Sequence, residues 1–129
     1  MESKWHIIYY ETAKEECPIE DFINSRSIKN RAKIFSWLEQ LEAHGPNLPR
    51  PYADLLEDGV HELRIKLSGD QVRIIYFFCY KDFIILTHSF IKTTDKVPKI
   101  EIEKAKKFRY DFIARYSETE LRSKHNENL

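Results

Sequence analysis

Arg64, Lys66 and Arg73 are the residues of this chain whose types and spacing point most directly to chemistry. Strand side chains alternate between faces, so Arg64 and Lys66 share one side of the segment Glu62–Leu67 while Leu63, Ile65 and Leu67 share the other. If the polar residues Ser68, Gly69, Asp70 and Gln71 form a four-residue turn, Leu67 falls opposite Val72 and Lys66 opposite Arg73. Like charges facing across a strand pair destabilise it by up to about 1 kcal/mol, so three cations gathered there suit an anion. The plainer alternative is that they splay into water, or that Glu62 and Asp70 neutralise them.

A second polar cluster follows the next strand. Lys92 and Lys96, with the hydroxyls of Ser89, Thr93 and Thr94, can hold phosphate oxygens, and His88 precedes them. In an antiparallel meander the loop after Phe90 returns to the end of the sheet that carries the Ser68–Asp70 turn, so Lys66, Arg73 and Lys92 converge. Such a face suits a polyanion, and single-stranded RNA fits because aromatics are available for stacking. A fixed guanidinium such as Arg73 stabilises a phosphorane-like transition state. Lys66 or His88 can move protons, an effect of about 10² to 10⁴ in rate, with neighbouring cations lowering the lysine's pKa. For His88 a structural role is the alternative. No histidine or cysteine spacing suggests a metal site, and no cofactor is expected. On this reading, removing Arg73 costs activity far more than stability.

The elements that must position these groups are legible in outline. Lys4–Tyr10 is β-rich and reads as a first strand, and Pro18, Glu20 and Asp21 suit the first turn of a helix. Ile28, Ala32, Phe35 and Leu38, with Ile34, Trp37 and Leu41, recur at helical spacing from about Ser27 to Ala43, and Gly45-Pro46 ends the run. Asn24–Ser27 divides the region into two helices. Residues Pro46–Gly59 read as an extended loop, followed by strands near His61–Leu67, Val72–Tyr80 and Phe83–Phe90. The middle strand is apolar on both faces and should be central. Pro98 starts a last helix marked by Ile102, Ala105, Phe108, Phe112 and Tyr116. Phe35, Trp37, Leu38, Leu41, Phe108 and Phe112 are expected in the core.

The expected fold is therefore α+β: a mostly antiparallel, twisted, four-stranded sheet with two N-terminal helices on one face and a C-terminal helix. Residues 1–116 form one domain, and 117–129 a polar, frayed tail. The chain has 129 residues and needs no disulfide staples. Cys17 and Cys79 form no CxxC pair and read as thiols in a reducing compartment. No apolar run approaches the roughly 20 residues of a membrane span, which points to a cytoplasmic protein with no membrane partner. Formal net charge is zero, which argues against wrapping duplex DNA, but residues 60–99 hold seven Lys and Arg against four Asp and Glu.

Gly59-Val60-His61-Glu62-Leu63-Arg64, Val72-Arg73-Ile74-Ile75-Tyr76, Leu86-Thr87-His88-Ser89-Phe90-Ile91-Lys92 and Thr94-Asp95-Lys96-Val97-Pro98 together resemble the phage-derived, HigB-like branch of the RelE/ParE toxin superfamily. The likeness runs in motif from about Trp37 to Ala105 and rests on the order and spacing of the pieces. It implies a RelE-like fold and the toxin of a toxin–antitoxin pair, a ribosome-dependent mRNA endonuclease. Cleavage in that family needs no metal: the ribose 2′-hydroxyl attacks the adjacent phosphate. By resemblance the catalytic positions are Arg64, Lys66, Arg73 and Lys92, with Lys96, His88 and Thr93 as RNA or phosphate contacts. Thr93 stands where that branch tends to carry a second lysine. The implied partners are mRNA on the ribosome and a HigA-like antitoxin with a helix-turn-helix domain, and the free toxin is expected to be a monomer. The alternatives are a ParE-like toxin that inhibits gyrase without cleaving RNA, and a non-catalytic phage interaction module.

Overall fold

A computed structural model describes residues 5–127. Lys4, expected to open the first strand, and Asn128 and Leu129 of the expected tail lie outside the described residues. In chain order the elements are β1 (His6–Tyr9), α1 (Pro18–Asn24), α2 (Ile28–His44), a 3-10 turn (Gly45–Asn47), β2 (Ala53–Glu57), β3 (Val60–Leu67), β4 (Asp70–Cys79), β5 (Phe83–Ile91), α3 (Lys99–Arg115) and α4 (Glu118–Glu127). The sheet has five strands in the order β1-β5-β4-β3-β2, with β1 parallel to β5 and every other pair antiparallel.

The fifth strand is β2, from the segment expected to be loop. It is short, carries Asp54 and Glu57, follows three prolines and pairs only with β3, so no run of alternating apolar residues announces it. The β3–β4 turn also departs from expectation. Ser68 and Gly69 both have positive φ, 48° and 93°, and make a two-residue hairpin turn that pairs Leu67 with Asp70, Lys66 with Gln71 and Arg64 with Arg73. Arg73 therefore faces Arg64 and not Lys66. A slip of two residues keeps every side chain on its expected face, because the pleat repeats every two.

Helices cover both faces of the sheet, with the two N-terminal helices on one face as expected and the C-terminal ones on the other. Leu63, Ile65, Leu67, Val72, Ile74 and Tyr76 pack with Ile19 and Ile23 of α1 and Ile34, Leu38 and Leu41 of α2. On the other face Val60, Ile75, Phe77 and Phe83 meet Ala105 and Phe112 of α3 and Leu121 of α4. A central strand that is apolar on both sides demands this second layer. The tail is likewise structured. Ser117 Oγ accepts from the Glu120 amide at 3.1 Å and donates to the Glu120 carboxylate at 3.0 Å, a capping contact that starts α4. Arg122 then ties α4 to Asp82 at 2.7 Å and to the Tyr80 carbonyl at 2.8 Å.

The buried stripe of α2 is narrower than its sequence suggests. Ile34, Leu38 and Leu41 are interior, whereas Ile28 is 83% and Phe35 44% exposed. Ser27 caps this helix, accepting from the Asn30 amide at 3.2 Å. Gly45 ends it at φ 51°, where a Cβ would lie 2.4 Å from the Trp5 indole nitrogen. Cys17 and Cys79 are free thiols, and no helix among the described residues is long and apolar enough to cross a membrane.

Candidate functional site

Strand β3 places Glu62, Arg64 and Lys66 on the face shared with Arg73 of β4. Helix α3 covers only part of that face. Beside it an open cleft of about 470 Å³ is lined by Asp54, Glu62, Arg64, Arg73, Lys92, Asp95 and Lys96 among others. The Lys92 amide donates to the Gln71 carbonyl at 2.7 Å and fastens the start of the loop to β4. The Thr94 hydroxyl donates to the Lys96 carbonyl at 2.6 Å and shapes the loop before α3.

The two arginines face each other across the strand pair, and a carboxylate makes that possible. Glu62 Oε2 accepts from Arg64 Nη2 at 3.1 Å, while Glu62 Oε1 lies 2.9 Å from Arg73 Nε. Arg64 Nη2 also reaches Asp54 Oδ2 at 3.2 Å, which in turn meets Arg50 Nη2 at 3.0 Å. The result is a chain of alternating charges, Arg73–Glu62–Arg64–Asp54–Arg50, running from the interior to solvent. Glu62 is 3% and Arg73 6% exposed, so the inner pair is desolvated and its attraction must offset a penalty of several kcal/mol per ion. Burial pulls the Arg73 guanidinium below its ordinary pKa, Glu62 opposes the shift, and Arg64 adds to it. The Arg50 guanidinium is the main group holding Asp54 below the usual carboxylate range.

The inner contacts are not saturated. The Arg73 Nε–H misses Glu62 Oε1 in direction, so the short ion pair completes no hydrogen bond, and Arg64 Nε is also buried without a partner. Arg73 Nη1 donates to the Val72 carbonyl at 3.1 Å. Buried, unpartnered guanidinium nitrogens bordering a cleft retain hydrogen-bonding capacity for an anion.

The structure brings Arg64, Arg73, Lys92 and Lys96 together around this cleft. Lys66 shares their face but lies exposed toward the turn, opposite Gln71, and does not line it. Thr93 is exposed in the loop and is not part of the lining. His88 sits elsewhere. A bulge at Thr87 lets Ile75 face His88 and Tyr76 face Leu86, which turns His88 under α3, where it is 1% exposed. Its Nε2 lies 3.2 Å from Glu101 Oε1 and its Nδ1 3.0 Å from the Thr87 hydroxyl oxygen, while burial, with Lys104 adding, pulls its pKa well below that of free imidazole. The cleft thus reaches neither of the two proton carriers first considered. Asp54 was the element the sequence left hidden, while the alternative that Glu62 neutralises the arginines is what the ion pairs show. Glu62 alternates with Arg64 and Lys66, a visible signal, whereas Asp54 belongs to the strand that read as loop.

The family model described as "Phage derived protein Gp49-like (DUF891)" matches residues 21–110, the span from α1 through most of α3. No curated protein matches the chain.

Proposed function

Because the chain belongs to the Gp49-like family of phage-derived proteins, a toxin-like family in the RelE/HigB area, we propose that it is the toxin of a toxin–antitoxin pair and cleaves mRNA on the ribosome without a metal. The observation that carries the reading is the cleft in which Arg64, Arg73, Lys92 and Lys96 surround under-satisfied guanidinium nitrogens. In the proposed reaction the ribose 2′-hydroxyl loses its proton as its oxygen attacks phosphorus. The bond to the 5′-oxygen breaks, and that oxygen gains a proton, leaving a cyclic phosphate and a free 5′-hydroxyl. Arg73 and Arg64 stabilise the added negative charge. Lys92 moves a proton, since Lys66 lies off the cleft and His88 is buried. Lys96 and Thr93 contact the flanking RNA backbone, and a HigA-like antitoxin with a helix-turn-helix domain neutralises the toxin.

The test is to express the chain, Arg73→Lys and Lys92→Ala and to map mRNA 5′ ends on translating ribosomes. New in-frame cleavage ends that disappear with either variant are expected. Growth arrest with intact mRNA sinks the nuclease. A second reading, a non-catalytic interaction module, is favoured by one observation: Asp54, Glu62 and Asp95 share the lining and neutralise much of its charge. A salt-sensitive complex with unchanged RNA turnover would support it.

A further inference from the structure

The two edges of the sheet are guarded unequally. At one edge β2 carries Asp54 and Glu57 and a bulge between Leu55 and Glu57, features that discourage pairing with another chain. At the other edge β1 is His-Ile-Ile-Tyr, with no bulge, proline or lysine in the strand. The His6 and Tyr10 amides donate inward to the Asp82 and Leu86 carbonyls, each at 2.8 Å. By alternation the N–H and C=O groups of Ile7 and Tyr9 point to the open side, and no partner for them exists among the described residues.

Clefts flank this edge on both faces of the sheet. On the α2 side one of about 590 Å³ is lined by Ile7, Tyr9, Phe35 and Leu38, with Glu39 and Glu42 at its rim. On the α3 and α4 side a smaller one of about 170 Å³ is lined by Ile8, Phe112, Tyr116 and Leu121, with Glu11, Lys124 and His125 also in its wall. An added strand directs successive side chains to opposite faces, so it would drop alternate residues into these two clefts. Glu39 and Glu42 put two carboxylates one helical turn apart beside the larger cleft, a placement that complements a cation.

We propose that the open edge of β1 docks an extended segment of a partner protein as a sixth strand, apolar toward α3 and α4 and bearing lysine or arginine toward Glu39 and Glu42. A second copy of this chain is the poorer occupant, because two-fold pairing of β1 edges brings the α2 helices and their glutamates to the same face. The edge lies across the sheet from the Arg73 cleft, so the proposal does not depend on RNA cleavage.

The probe is an octapeptide of alternating valine and lysine, added to the isotope-labelled protein and followed by amide hydrogen exchange. Protection of Ile7 and Tyr9 by about tenfold or more is expected, with Ile8 unchanged. Exchanging the lysines for glutamates, N-methylating the edge-facing peptide amides, or introducing Glu39→Lys should each weaken binding by about tenfold. Glu39 is exposed, so Glu39→Lys should keep the urea midpoint of the parent chain. No protection of Ile7 and Tyr9 at millimolar peptide overturns the proposal, as does equal binding of the glutamate peptide. Protection that rises with protein concentration alone, together with a dimer mass, overturns it in favour of self-pairing.

Discussion

Replacing Arg73 by methionine should unfold the protein at lower urea, and a second change at Glu62 should then add much less than it costs alone. Arg73→Met leaves Glu62, 3% exposed, with one of its two guanidinium partners. Stripping a buried charge of its partner costs about 3–5 kcal/mol when nothing replaces it. Arg64 remains 3.1 Å from the other carboxylate oxygen, so roughly half of that loss, about 2 kcal/mol, is expected. Glu62→Gln alone should cost a similar amount, because it leaves the buried Arg73 guanidinium opposite a neutral amide. Combining the two leaves neither ion buried against a missing partner, so the double variant should be more stable than the sum of the singles by about 1–2 kcal/mol. With a urea slope of about 1.5 kcal/mol/M, each single change lowers the midpoint by about 1.3 M. Additivity within about 0.5 kcal/mol would refute the claim that Glu62 and Arg73 form an interior pair. Because Arg73 is interior, its removal carries this stability cost alongside the larger activity cost expected from sequence, and the two are compared by assaying the same variant for unfolding and for RNA cleavage.

Other measurements probe separate parts of the fold. His88 is buried with a pKa below its unfolded value of about 6.5, so the unfolded chain binds the proton more readily. Stability should be full above that pH and fall as pH drops below it toward the folded value, and His88→Gln should flatten the slope, as followed by urea midpoints from pH 7 to 5. His61 and His125 are shifted down by burial and add slopes of the same sign, so a residual slope in the variant is expected. Leu121→Ala should cost about 2–3 kcal/mol in thermal or urea unfolding, whereas a frayed tail would register no change. Gly45→Ala should destabilise by more than 1 kcal/mol, since the added carbon meets the Trp5 ring, and a neutral result in calorimetry would contradict that packing.

Much of the framework was legible because local chemistry and tertiary demand agree. Ser27, Pro18 and Gly45 mark helix ends where the structure has them, and β4's two apolar faces announce its central place. What the sequence hid has particular causes. β2 is too short and polar to carry a period, and its Asp54 vanished with it as a member of the charge chain. The hairpin offers two closures of equal facial parity, so composition chose the wrong partner for Arg73 while keeping the right face. The fourth helix had a signal that went unread, serine followed three residues later by glutamate at Ser117 and Glu120, ahead of Leu121.

The extra residue at Thr87 makes one strand serve two masters. Up to Leu86 the side chains of β5 follow one parity, and from His88 onward the opposite one, so the segment leading to Lys92 is phased independently of the half that builds the core. A regular ladder running through Thr87 would turn His88 and Phe90 toward the α1 and α2 side and Ser89 and Ile91 toward the α3 side, whereas deleting the single codon for Thr87 would remove the extra residue and keep their present facing.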